Sequence, residues 1–156
     1  MDSRNASRER AVSIASALCR RFEGFYSSPY ACPAGLATVG YGATFYADGR
    51  PVTLKDKPIT REQGERLLQL QIERVFLPGV IHLCPSLVHE TPERFGAIID
   101  FAFNCGLGNL RASTLRRKIN ERAWDDVPAQ LMRWNKAGGR VLRGLTIRRQ
   151  AEADLI

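Results

Sequence analysis

A chain of 156 residues that is 44% hydrophobic, 8% aromatic and 25% charged has the composition of one soluble globular domain. At this length about two-thirds of the unfolded surface can be buried, so no disulfide staple is required, and disordered, collagen-like, coiled-coil and disulfide-scaffold readings are excluded. The net charge is +7, carried by 19 arginines and only four lysines among 23 basic residues, which directs attention to an anionic partner: nucleic acid, a membrane surface or an acidic polymer. Nothing approaches the roughly 20 apolar residues of a membrane span. The short run Ala11–Cys19 contains Ser13 and Ser16, follows Asp2 and Glu9, and lacks a small-x-small cleavage site, so it is not read as a signal peptide and a cytoplasmic origin is expected. The four scattered cysteines, Cys19, Cys32, Cys84 and Cys105, form no C-x-x-C pair and are read as free thiols.

Taken in chain order, Ser3 or Asn5 can cap a first helix whose apolar positions Ala11, Ile14, Ala15, Leu18 and Phe22 recur at helical spacing and which ends near Gly24. From Phe25 to Leu54 glycines interrupt β-branched and aromatic residues, and Asp48-Gly49 marks a hairpin turn. Thr60 and Gln63 form a capping box ahead of a helical stripe, Leu67, Leu68, Ile72, Val75 and Phe76, which Pro78-Gly79 is expected to break or bend. Thr91-Pro92 starts the most apolar helix, with Phe95, Ile98, Ile99, Ala102 and Phe103 in its core-facing set and Gly106 closing it. Shorter helices are expected near residues 113–122, 125–134 and 143–155, with Gly138-Gly139 in a loop. The fold class is α+β, mainly helical. One domain spans 1–156, with a β-rich lobe at about 25–58, a helical lobe from about 60 onward joined by the first helix, and a ligand cleft expected between the lobes.

Three positions attract chemical attention. Glu23 lies at the C-terminal end of the first helix, where the negative end of the helix dipole disfavours an ionised carboxylate, as suits a general acid; a solvated surface glutamate is the plainer alternative. Thr38 lies in Gly35-Leu36-Ala37-Thr38-Val39-Gly40-Tyr41-Gly42, where its hydroxyl either orients a water or simply suits a strand, and the glycines mark a tight bend or the close approach of a ligand. Cys32 falls between them as a nucleophile or as a small packed hydrophobe. His82, Cys84 and His89 do not have zinc-site spacing, so no metal and no cofactor are expected. Arg116-Arg117-Lys118, Arg140, Arg143 and Arg148-Arg149 either line a polyanion cleft or are solvated helix faces; DNA recognition by a helical protein is a further alternative, in which the glycine-rich insert has no part.

Arg21-Phe22-Glu23-Gly24, Tyr30 and the segment Gly35–Gly42, followed by Phe101-Ala102-Phe103-Asn104-Cys105-Gly106, Ser113-Thr114-Leu115, Trp134–Gly139 and Gly144–Glu152, resemble the phage-type lysozymes, or endolysins, of glycoside hydrolase family 24. That family carries Glu, eight residues, Asp or sometimes Cys, five residues, Thr, and Glu23, Cys32 and Thr38 stand at those intervals. The resemblance implies a lysozyme-like fold and a muramidase that hydrolyses the β-1,4 bond between N-acetylmuramic acid and N-acetylglucosamine in peptidoglycan, usually with inversion. It implies Glu23 as general acid, Thr38 as a holder of the attacking water, and position 32 as the group that activates this water or stabilises the oxocarbenium-like transition state. Tyr41, Asn104 and Arg148 are expected to contact substrate.

Two departures accompany the resemblance. Cys32 stands where many relatives have Asp, and Ala43 where many have His. The usual pair of carboxylates is therefore missing, and a thiol with a pKa near 8.5 is only a few per cent ionised at pH 7 unless its surroundings lower that value; a nearby arginine is the expected agent. The resemblance further implies a monomer that accumulates in a host cytoplasm until a holin opens the membrane, with peptidoglycan rather than nucleic acid as its partner. An inactive peptidoglycan-binding module that kept the fold after losing Asp at position 32, and a basic DNA-binding protein, are the alternatives.

Overall fold

The computed structural model describes residues 2–156. Helix α1 spans Ser3–Phe22. Its N-cap is Asp2, one residue before the expected Ser3, because the Asp2 carboxylate accepts from the Arg4 N–H at 3.1 Å. Strands β1 (Tyr26–Ala31) and β2 (Ala37–Gly40) form an antiparallel hairpin pairing Tyr26 with Gly40, Tyr30 with Thr38 and Ala31 with Ala37, irregular between its two ends. The turn at Asp48-Gly49 is present, with the Gly49 N–H donating to the Tyr46 carbonyl, but pairing beside it is confined to Phe45 and Pro51.

Helix α2 (Arg61–Gln71) begins with the expected capping box: Thr60 Oγ1 accepts from the Gln63 N–H, and the Gln63 side chain accepts from the Thr60 N–H. Of the break or bend expected at Pro78-Gly79, the break does not occur. The chain widens through one π-helical segment, Ile72–Phe76, and continues into α3 (Leu77–Leu83) with Pro78 in its first turn. A proline there lacks an N–H and crowds the carbonyl four residues back, and the wide turn accommodates both defects upstream of the proline.

Helix α4 (Pro92–Cys105) starts at Thr91, whose hydroxyl accepts from the Arg94 N–H, and stops at Gly106, whose φ of +93° an L side chain rarely adopts. Four shorter helices follow: α5 (Leu107–Ala112), α6 (Thr114–Asn120), α7 (Val127–Met132) and α8 (Arg143–Ala153). Residues expected as a loop around Gly138-Gly139 form the turn of a second small hairpin, β3 (Lys136–Ala137) and β4 (Arg140–Val141).

The larger core is helical. Phe95, Ile98, Ile99, Phe101 and Ala102 of α4 are almost wholly buried, and α1 packs along α4 through Ala11, Val12, Ala15 and Cys19. Each large apolar side chain removed from water here contributes about 1.5–3 kcal/mol. The helices approach so closely at Gly96 that an added Cβ would stand 2.7 Å from Ile14 Cγ2 and 3.0 Å from the Ala11 carbonyl oxygen. A smaller core of Val39, Ala43, Val52 and Leu67 joins the β-lobe to α2. Gly40 (φ +67°) explains one glycine of the β-segment: its missing side chain admits the backbone of Gly64 on α2, so the close approach is to a helix rather than to a ligand.

Candidate active site

Glu23 ends α1 as its C-cap, with its N–H donating to the Cys19 carbonyl at 2.7 Å. Its side chain is 31% exposed, and Oε1 accepts from Arg148 Nη1 at 2.7 Å. Arg148 is only 3% exposed. The remainder of its guanidinium is bound to the fully buried Asp100 of α4, with Nε to Oδ2 at 3.0 Å and Nη2 to Oδ1 at 2.7 Å. The Cys19 thiol donates to the same Oδ1 at 3.2 Å. Burial and the Asp100 carboxylate push the Cys19 thiol far above the ordinary range, so it stays neutral and donates. The result is a bridge from the end of α1 across α8 to α4, and a buried bidentate pair of this kind is expensive to open.

Across from it, the β1–β2 hairpin brings Thr38 opposite Tyr30, with Cys32 in the turn beyond β1. The turn is closed by the Cys32 N–H donating to the Leu36 carbonyl at 2.9 Å and the Gly35 N–H donating to the Cys32 carbonyl at 2.8 Å. Thr38 is buried, and its hydroxyl donates to the Leu36 carbonyl at 3.0 Å, leaving its oxygen free to accept a further bond. The Cys32 thiol is lowered below its ordinary range chiefly by hydrogen bonding to the Leu36 backbone, against a smaller opposing effect of burial. The agent is therefore the hairpin backbone, not the expected arginine. The phenol of Tyr30 is raised by burial first and then by the charges of Tyr26, Cys32 and Glu23, which places it within electrostatic reach of both Cys32 and Glu23.

The three residues expected to contact substrate are placed differently. Tyr41 is 4% exposed, packs its ring 5.3 Å from that of Phe25, and accepts a hydrogen bond from Arg61 Nη1 at 3.1 Å, so it is a core residue. Arg148 is internal, as described. Asn104 is half-buried and its Oδ1 is taken by Arg149 Nη2 at 2.8 Å. In the structure each of these groups is engaged within the protein: Tyr41 with Arg61, Arg148 with Asp100 and Glu23, and Asn104 with Arg149. A cavity of about 240 Å³ between the β-lobe and α2, lined by residues including Phe45, Leu67, Gln71 and Arg74, contains none of Glu23, Cys32 and Thr38. Sequence reasoning also missed Asp100 and Glu152, and it read Arg149, which is fully buried, as a cleft or surface residue. An aspartate in the middle of the most apolar helix was the signal for them, because a charge buried there demands a partner.

The family described as phage lysozyme matches residues 20–152, an interval that holds Glu23, Cys32 and Thr38. The chain is 35% identical over 140 residues to an endolysin of Bacillus phage B103, covering 88% of this chain and spanning half the length of that protein. It is 34% identical over 152 residues to a SAR-endolysin of bacteriophage PS119, covering 93% of this chain and 86% of that one. An endolysin structure from Escherichia coli O157:H7 phage FAHEc1 superposes with a TM-score of 0.75 at 29% identity, covering 91% of this chain and 89% of that one. A P22 lysozyme mutant superposes with a TM-score of 0.77 at 26% identity, covering 90% and 93%. On sequence and on fold together, the chain belongs to the phage lysozyme family.

Proposed function

We propose that the chain is a muramidase acting as an endolysin: it hydrolyses the β-1,4 bond between N-acetylmuramic acid and N-acetylglucosamine in bacterial peptidoglycan. The observation that carries this reading is the family match over residues 20–152, with the family's Glu, Cys and Thr positions inside it. Glu23 is the general acid. In its protonated form it delivers a proton to the glycosidic oxygen as the bond to the anomeric carbon breaks. Arg148 keeps hold of Asp100 while Glu23 is protonated, so the carboxyl stays aimed at the leaving oxygen.

Thr38, with its own proton committed to the Leu36 carbonyl, accepts a hydrogen bond from the attacking water and orients it. Cys32, as thiolate, takes the proton this water loses. The lowered thiol supports that role, since a thiolate is needed as the base near neutral pH. The +7 charge suits an anionic wall polymer, and weaker binding follows at high salt. Action on the cell wall after cytoplasmic accumulation and holin release, as a monomer, belongs to the same proposal. Among the described residues, no helix is long and apolar enough to cross a membrane. No observation favours the inactive-module or DNA-binding readings.

The test is the turbidity of outer-membrane-permeabilised Gram-negative cells, with mass spectrometry of the released fragments. The reading predicts clearing and fragments that end in reducing muramic acid. Wall binding without clearing, or retention of duplex DNA in a gel shift without lysis, overturns it.

A further inference from the structure

Behind the Glu23–Arg148 pair lies a group that the mechanism above does not use. Glu152 of α8 is fully buried, and its Oε1 accepts from Arg149 Nη2 at 2.8 Å. Its other oxygen, Oε2, has no hydrogen-bond partner, and hydrogen bonding with Asp100 contributes to the perturbation of both carboxyls. Two carboxylates facing each other this way have only acceptors to offer, and one proton resolves the conflict. We propose that Glu152 is held as the neutral acid, donating from Oε2 to Asp100, and that it is a positioning residue for Glu23, acting through Asp100 and Arg148. The proposal rests on the reading of Glu23 as the general acid.

The choice of which carboxyl keeps the proton follows from their partners. Asp100 accepts three donors, Arg148 Nε, Arg148 Nη2 and the Cys19 thiol, and so is favoured as the anion. Glu152 accepts one. The charged groups are Glu23, Asp100 and Glu152 against Arg148 and Arg149; Cys19, Cys105 and Asn104 complete the surroundings as neutral groups. Burial followed by the neighbouring Asp100 raises Glu152 well above the ordinary carboxyl range, and Asp100 lies below it, in the same sense.

The consequence is mechanical. Protonated Glu152 supplies a further donor to Asp100. Asp100 then fixes the guanidinium, and the guanidinium fixes Glu23. Glutamine at position 152 reproduces the neutral acid, with an N–H for Asp100 and a carbonyl oxygen for Arg149, whereas alanine removes both.

Infrared spectroscopy of the folded protein near pH 7 tests the protonation directly, in the Glu23→Gln background so that the catalytic carboxyl is absent. A carboxylic-acid carbonyl band is expected in Glu23→Gln and is expected to vanish in Glu23→Gln/Glu152→Gln. No band in the single variant, or a band that survives in the double variant, overturns the proposal, and neither readout depends on lytic activity. In the otherwise wild-type enzyme, Glu152→Ala is expected to lower kcat at least tenfold with KM within twofold, and Glu152→Gln to restore kcat to within about threefold. If glutamine loses as much kcat as alanine, the charge and not the proton of Glu152 is what matters, and the proposal fails.

Discussion

Glu23 and Cys32 flank the same strand, yet the two sides of the site are built from different materials. Glu23 is tied by its side chain to a guanidinium that is itself locked to a fully buried aspartate on α4. Cys32 is held by the backbone of its own turn, and the chemistry of its thiol is set chiefly by the Leu36 backbone. The difference teaches which residues are replaceable. A network of buried charges depends on the identity of every member, because removing one strands another. A cradle made of backbone groups stabilises whatever anion its turn presents. That contrast supplies a physical account of how a thiol stands where many phage-type lysozymes carry a carboxylate.

The comparison breaks most violently at Arg148. Arg148→Ala leaves Asp100 as an uncompensated buried charge, a cost of about 3–5 kcal/mol, which in a domain of this size lowers Tm by roughly 10 °C. Calorimetry checks the loss. A melting temperature within two degrees of wild type would mean that the bridge contributes little to holding the helices together.

Cys32 tests the other side. Cys32→Ala is expected to lose lysis by tenfold or more while keeping its Tm. Cys32→Asp is expected to remain active and to resist alkylation, which inactivates the wild type. On the proposal that the lowered thiol works as the anion, activity of the wild type is expected to rise with pH, with its rising limb below the ordinary thiol range; in Cys32→Asp the limb is expected to move down toward the carboxyl range. Lysis by Cys32→Ala at the wild-type rate would reduce Cys32 to a packing residue.

A smaller effect separates packed from open backbone. Gly96→Ala forces a methyl group against Ile14 and the Ala11 carbonyl and is expected to cost about 1–3 kcal/mol. Gly108→Ala, on α5 with open space around it, is expected to be neutral or to stabilise by up to about 1 kcal/mol. Urea titration compares them, and equal midpoints would contradict the close α1–α4 contact.

The smallest effect lies in the β-lobe. Asp56 accepts from the Thr53 N–H, the Thr53 hydroxyl and the Tyr46 hydroxyl, and its carboxyl is lowered from the usual 3.8 to about 2. A lowered carboxyl contributes stability that is fully present above its unfolded value and is lost as pH falls toward its folded value. The wild type therefore loses a little stability between pH 4 and pH 2 that Asp56→Asn does not. Parallel acid titrations of the two proteins should diverge in that window alone.

Much of the fold was legible because local signals agreed with tertiary packing: the Thr60–Gln63 box, Thr91-Pro92 and Gly106 each placed a helix boundary. Pro78 misled because a wide turn upstream makes room for it, and α5 was missed because its six residues carry too little periodicity to register. At the site, Glu23, Cys32 and Thr38 could be named only through the resemblance to phage-type lysozymes, and their surroundings could not be named at all. Arg148 and Asp100 are 48 residues apart, and only the packing of α8 on α4 brings them together. Tyr41 and Asn104 show the same limit: a sequence displays a polar group without displaying its partner in the fold, here Arg61 and Arg149.

The central claim is that Glu23 supplies the proton to the glycosidic oxygen, and Glu23→Gln tests it most directly. Glutamine keeps the size and the hydrogen bond to Arg148 but has no acidic proton, and general acid help is worth about 10²–10⁴-fold. Measured by release of reducing muramic acid ends from purified peptidoglycan, the rate should fall by that factor while Tm stays within a few degrees of wild type. Release at the wild-type rate by a folded Glu23→Gln protein would contradict the account.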